Sequence, residues 1–178
     1  MTRDEAGMTI VELLVALTIL SIISFALTES VVQALRTADV TAKRYGESID
    51  AQLLAASFGP DVQSSDEVDT SSAGGDACAP QPPILLLRWT DGSISKQASY
   101  ILEAGSGPER HLVRRYCEGG RVVRQHAVAS FVAPDRSDPV TVSCPPDPSC
   151  TSAPRAVSMA ITDASGYTFT ATGSRRAS

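Results

Sequence analysis

Hydrophobic residues are concentrated near the N-terminal end of this chain. From Met8 to Leu27 the sequence reads MTIVELLVALTILSIISFAL, with no glycine or proline and with Glu12 as the only ionisable side chain. A helix of about twenty residues is about 30 Å long, which matches the hydrocarbon core of a bilayer. The pattern therefore predicts a membrane-spanning helix over residues 8–28.

After Leu27 the hydrophobic residues recur at three- and four-residue steps with charged residues between them, as in an amphipathic helix. The run has too few clean heptads for a coiled coil, so we expect its apolar stripe to pack on the protein's own sheet. Ser57-Phe58-Gly59-Pro60 predicts the end of the helix, because proline cannot continue it. The amphipathic continuation is thus expected over residues 29–58, with Gly46 as its weak point.

A polar, acidic linker is predicted over residues 59–82, with five acids and no base between Asp61 and Asp76. Beyond it, short apolar runs separated by turn signals predict strands only. We expect strands at 84–90, 98–102, 111–117, 121–126, 128–132, 140–144, 156–162 and 167–172. Residues 83–178 would form a β-rich head. The predicted fold class is α+β, with a long N-terminal helix packed on an antiparallel sheet.

Composition narrows the choice of function. A chain of 178 residues has room for one domain of ordinary size, or for a smaller domain with one long accessory element. Its net charge of −5 argues against general adhesion to nucleic acid, which needs a basic surface.

Three ordinary interpretations compete for the N-terminal segment. A buried core helix would not need such unbroken hydrophobicity in a chain this small. A cleaved signal peptide would have a basic start and a shorter apolar run, whereas MTRDEAG carries one arginine against two acids. An uncleaved signal anchor gives Glu12 no role unless its side chain reaches the lipid headgroups. Because an unpaired carboxylate in a membrane helix is costly, Glu12 is a candidate functional residue.

The segment Gly7-Met8-Thr9-Ile10-Val11-Glu12-Leu13-Leu14-Val15 resembles the processing motif of type IV prepilins and type II secretion pseudopilins. The resemblance implies that a prepilin peptidase cuts the leader, residues 1–7, after Gly7 and methylates the new amino terminus at Met8. It also implies that Glu12 pairs with the N-terminal amine of a neighbouring subunit during assembly. The leader lacks the usual excess of Lys and Arg, and Met8 replaces the commoner Phe.

The same resemblance implies the location and the partners. The protein would be a single-pass protein of the cytoplasmic (inner) membrane with an exported C-terminal head, and it would enter a surface or periplasmic filament after assembly. Its partners would be the prepilin peptidase, other pilins or pseudopilins, a membrane assembly platform protein, and membrane lipid before assembly. No cofactor and no enzymatic activity are expected.

A second resemblance is looser and spreads over the β-rich region. The order of Trp89, Tyr100-Ile101-Leu102, Leu112 to Arg115, Val128 to Phe131 and Ala156 to Thr162 is similar to J-type minor pseudopilins and W-type minor pilins. Glu12 argues against the K-type tip pseudopilins, which typically lack an acid at this position.

The four cysteines lie on the expected exported side, where disulfides persist. Four cysteines allow three connectivities, and we favour Cys78–Cys117 with Cys144–Cys150, since the latter pair brackets a short proline-rich loop. No CxxC spacing is present, so a structural role is favoured over zinc or redox chemistry, and no metal site is predicted.

Five arginines crowd one predicted hairpin: Arg110, Arg114, Arg115, Arg121 and Arg124. They are a candidate contact for a polyanion such as DNA. A solvated strand face, or a contact to an acidic neighbouring subunit, is the ordinary alternative. The sequence therefore also leaves open a signal-anchored extracellular β-domain that binds a ligand or DNA.

Overall fold

The computed structural model describes residues 9–105, 107, 110–146, 150 and 154–176. Within these residues, one helix, α1 (Ile10–Ser64), is followed by eight strands. These are β1 (Glu67–Asp69), β2 (Leu85–Asp91), β3 (Ile94–Ala104), β4 (Arg110–Glu118), β5 (Arg121–Val132), β6 (Val140–Ser143), β7 (Ala156–Thr162) and β8 (Thr168–Ser174). The chain divides into two compact units, unit 1 (Met1–Arg44) and unit 2 (Tyr45–Ser178). The α+β class is confirmed.

Unit 1 contains the apolar part of α1. Every side chain whose burial is described between Thr9 and Arg44 is exposed. By length and composition, α1 is the one helix in the described part of the chain that could cross a membrane. This helix therefore carries an apolar surface that no described residue of unit 1 covers.

The predicted end of the helix is wrong, because α1 continues through Pro60 to Ser64. Proline has no N–H for the carbonyl of Ala56, but both residues are exposed, so water can satisfy that carbonyl. The residue before a proline normally avoids helical geometry because its Cβ meets the proline ring. Gly59 has no Cβ, and the glycine that suggested a stop therefore lets the helix pass.

Tertiary packing holds this last part of the helix in place. Leu54, Phe58 and Val62, spaced four residues apart, are all fully buried. They lie in one hydrophobic core with residues of both sheets, and the ring of Phe58 meets that of Tyr100 edge-on at 5.8 Å between centroids. Burial of this face outweighs the local cost of Pro60.

The first sheet has the order β1-β2-β3-β4-β5, and all its pairs are antiparallel. β1 lies inside the region predicted as a linker, where Arg88 forms ion pairs with Glu67 at 3.1 Å and Asp69 at 3.8 Å. The two strands predicted at 121–126 and 128–132 are one continuous strand, β5. Its register against β4 shifts three times, so β5 carries bulges where an interruption was expected.

The second sheet has three antiparallel strands in the order β6-β7-β8. It meets the end of β5 through a bridge between Val132 and Asp163 and through the N–H of Ala133, which donates to the carbonyl of Thr162 at 3.0 Å. Val157, Met159 and Ile161 of β7 are fully buried in the same core as the helix. The two sheets therefore share one core with the end of α1.

Two glycines mark close approaches of the helix to strands. A Cβ at Gly46 would lie 3.0 Å from the ring of Phe131, and a Cβ at Gly173 would lie 2.6 Å from the Cβ of Val62. Gly46, which weakens the helix locally, thus allows β5 to pack closely against it.

Replacing Gly173 with alanine is expected to lower the free energy of unfolding of unit 2 by about 1–3 kcal/mol, because the new methyl group would overlap Val62 in a packed core. The measurement is the urea midpoint of the full chain in detergent, followed by the emission of Trp89, the single tryptophan. Gly107→Ala is the control, since its Cβ would meet no atom within 4 Å. Equal midpoints for the two variants would contradict the close packing.

Candidate functional site

The first turn of α1 holds the sequence-predicted assembly residue. The backbone N–H of Glu12 donates to Thr9 Oγ1 at 3.3 Å, and that of Leu13 donates to the carbonyl of Thr9 at 3.1 Å. Thr9 therefore caps the helix, and the Thr-x-x-Glu spacing is that of a capping box. The sequence interpretation missed this role of Thr9, although the spacing was visible in it.

Glu12 lies on an apolar and exposed surface. Its neighbours Ile10 and Val11 are 79% and 70% exposed, and Glu12 forms no ion pair with any residue that the structure describes. The positive end of the helix dipole favours a carboxylate in the first turn. Once this surface enters lipid or a protein interior, however, the carboxylate needs a cationic partner. Gly7 and Met8, the predicted cleavage and methylation residues, lie outside the described residues.

A family model for the prokaryotic N-terminal methylation motif matches residues 2–28. This match supports a type IV pilin- or pseudopilin-family protein. No significant match was found among curated proteins or among solved structures. The motif implies processing by a prepilin peptidase and assembly with other pilins, and the family is structural rather than enzymatic. The apolar helix is consistent with a membrane-anchored, single-pass pilin-family protein.

The five arginines of the predicted polyanion contact do not form one patch. Arg110 Nη2 donates to three backbone carbonyls, those of Ala133, Pro134 and Arg136. Arg115 pairs with Glu103 at 2.9 Å, and Arg114 is buried. Of the five, only Arg121 and Arg124 are exposed, and neither forms an ion pair with a described residue.

Arg114 instead belongs to a buried polar cluster that joins α1 to the first sheet. Its Nε and Nη2 donate to the two carboxylate oxygens of Asp61 at 2.6 and 2.5 Å. The hydroxyl of Tyr100 donates to Asp61 Oδ2 at 2.7 Å. All three side chains are buried. We call Asp61, Tyr100 and Arg114 the helix clasp, since Asp61 lies in the last turns of α1 and the other two lie on β3 and β4.

Burial and the charge of Asp61 shift the pKa values of Tyr100 and Arg114 in the helix clasp. Burial, the charge of Asp61 and the hydrogen bond to it raise the pKa of Tyr100 well above its ordinary value, so the phenol stays neutral. Burial alone would lower the pKa of Arg114, but its hydrogen bonds to Asp61 and the charge of Asp61 outweigh burial and raise it. Nearby, burial and the charges of Arg114 and Arg124 lower the pKa of His126.

The structure pairs the four cysteines in two disulfides. Cys78 and Cys117 are joined with 2.03 Å between their sulfurs, and Cys144 and Cys150 with 2.00 Å. The first disulfide fixes the segment after β1 to β4, and the hydroxyl of Ser99 donates to the carbonyl of Cys78. Because Cys78, Cys117 and Ser99 are all buried, this disulfide is part of the packed structure of unit 2.

Proposed function

We propose that this pilin-family protein is a minor pilin or pseudopilin, a structural subunit that helps to assemble a type IV pilus-like or type II secretion filament. It is cut after Gly7 and N-methylated at Met8. It then leaves the membrane and packs α1 among the helices of other subunits, while its exported β-rich head lies outside. The observation that carries the proposal is Glu12, a lone carboxylate on an exposed apolar helix inside the matched methylation motif.

The proposed role of Glu12 follows from the cost of burying single charges. A carboxylate and an ammonium group are each very unfavourable in an apolar interior, but they are tolerated as a hydrogen-bonded pair. The amine at Met8 of a neighbouring subunit would be such a partner. Pairing would then fix the axial stagger between the two subunits. The J-type or W-type subclass stays a prediction from the strand order.

Glu12 variants test this role. Glu12→Gln is expected to leave cleavage after Gly7 intact but to lower incorporation into filaments about tenfold or more, because the neighbour's ammonium group loses its counter-charge. Glutamine retains the hydrogen-bonding groups of a capping box, so a loss of assembly would report on charge and not on helix capping. The measurement is the amount of processed chain in sheared filaments relative to the membrane fraction.

N-terminal sequencing and intact mass of the same fractions provide the control. The wild-type chain and Glu12→Gln should both begin at N-methylated Met8 when a prepilin peptidase is present. A chain that keeps MTRDEAG while a control prepilin is cut would show an ordinary signal anchor and sink the proposal. Normal filament yield from Glu12→Gln would remove the role of Glu12 alone.

A further inference from the structure

The outer edge of β5 is open over half of its length. β5 is the last strand of the five-stranded sheet, so one of its sides has no neighbour there. From Arg121 to Ala127 its backbone groups hydrogen-bond to no described residue outside β4. The later part of this edge is occupied. The N–H of Ser130 donates to Asp50 Oδ2 at 2.6 Å, and Val132 forms a bridge with Asp163. Such an unpaired edge can accept an additional strand.

Two bulges bracket a regular stretch of this edge. Tyr116 pairs with Arg124 and Cys117 with Val122, which leaves Val123 as the extra residue. The register shifts again at Val128, so residues 124–127 lie in unbroken register against β4. Alternate residues of an edge strand direct their N–H and C=O groups outward. An incoming extended chain therefore has a short, regular set of backbone partners.

One face of α1 forms a wall beside this edge. The helix follows β5 through three contacts: the Cβ position of Gly46 on Phe131, Asp50 on Ser130, and Ser57 Oγ with His126 Nε2 at 3.4 Å. Because helical residues are 100° apart, Ile49 and Leu53 lie just outside that line of contact, on the solvent side. Both are 42% exposed. Leu53 therefore lies between the helix positions that contact Ser130 and His126, and Ile49 lies beside the contact to Ser130.

The charge of the edge selects the occupant. Arg121 and Arg124 are exposed and have no ion-pair partner in the described part of the chain. Val122 and Val123, 41% and 58% exposed, add apolar surface between them. Arginine on an edge strand can also serve only to prevent aggregation. The two arginines would bind carboxylates, and the exposed valines and the apolar side chains of the helix would bind apolar side chains. The edge therefore fits a chain that carries both kinds of side chain.

We propose that the edge of β5 over residues 121–127 docks an extended, acidic segment of a neighbouring pilin subunit, which adds as a sixth strand to the sheet. Its carboxylates meet Arg121 and Arg124, and its apolar side chains cover Ile49 and Leu53. The inference rests on the proposed function, because the partner is another subunit of the filament. It adds to the helix contacts a second, head-to-head contact that selects the neighbour by charge.

Photo-cross-linking in cells that assemble the filament tests this docking. A benzophenone amino acid is placed at Gln125 of the full chain, and the control position is Tyr167, which is 60% exposed in the turn before β8. Gln125 is expected to give a product mapped by mass spectrometry to an extended, acidic segment of a pilin-family subunit, and Tyr167 is not. The same chain, with benzophenone at position 125, is also made with Arg121→Glu and Arg124→Glu, which should lower the yield of the cross-linked product about tenfold. Lysine at both positions keeps the positive charge and should retain most of that yield.

The outcomes separate docking from the proposed function. Processing at Gly7 and incorporation into filaments are measured on the same samples. A processed, incorporated chain whose Gln125 product is absent, or maps to a basic or helical segment, overturns the docking and leaves the arginines as protection of the edge. A yield unchanged by the two glutamates overturns it as well. A chain that is neither processed nor incorporated sinks both proposals.

Discussion

Replacing Asp61 with alanine is expected to lower the free energy of unfolding of unit 2 by about 3–5 kcal/mol, because the guanidinium of Arg114 would stay buried without its counter-charge. The substitution removes both hydrogen bonds from Arg114 and the one from Tyr100. It also frees the last turns of α1, which Pro60 already weakens. The measurement is the urea midpoint of the full chain in detergent, read from the emission of Trp89.

Two matched variants identify the cause of that loss. Tyr100→Phe removes one hydrogen bond and should cost about 1–2 kcal/mol. Asp61→Leu combined with Arg114→Met removes both charges and should recover the stability lost to the unpaired guanidinium, but not the part lost with the Tyr100 hydrogen bond. If Asp61→Ala costs no more than Tyr100→Phe, the Arg114 side chain escapes to solvent and the helix clasp does not hold the helix end.

Local patterns in the sequence predicted most of the secondary structure. β7 lies at 156–162 as predicted, and the remaining predicted strands overlap observed ones. The hairpin turns after β2 and β4 contain Gly92, Gly119 and Gly120, which all have positive φ, a conformation that glycine adopts without strain. Alternating apolar residues and turn glycines act over a few positions, so a single sequence displays them directly.

The errors occurred where distant contacts overrule local preference. The helix passes Pro60 because Phe58 and Val62 on either side are buried in the core. Asp61 adds to this by binding Arg114, which is 53 positions away along the chain. The same contact removes Arg114 from the surface patch that the arginine spacing suggested. Bulges keep β5 continuous where the pattern indicated two strands. None of these pairings leaves a periodic signal in the sequence.

At the candidate site the sequence was more informative than at the clasp. Glu12 stands out because it is the only ionisable residue between Met8 and Leu27, and that isolation is visible without a structure. The structure adds that Thr9 caps the helix. Glu12 could therefore act through helix capping or through its charge, and Glu12→Gln separates the two roles. It also shows which two arginines, Arg121 and Arg124, face solvent.

Removing the Cys78–Cys117 disulfide, by alanine at both positions, is expected to destabilise unit 2 more than removing Cys144–Cys150. The cysteines of the first pair are separated by 39 positions along the chain, and those of the second pair by 6. Chain entropy of the unfolded state then predicts losses of about 4 and about 2 kcal/mol. Burial does not separate the two pairs, because Cys144 and Cys150 are also buried, at 0% and 8% exposed, so the expected difference rests on loop length.

Urea midpoints of both double-alanine chains, read from Trp89 emission under the same detergent conditions, give the comparison. A reduced wild-type chain should lose about as much as the two pairs together, because the disulfides close separate loops. If the Cys144–Cys150 variant is the less stable of the two, loop length does not govern these losses. Local support of the proline-rich segment between β6 and β7 would then be the larger contribution of the disulfides to the fold.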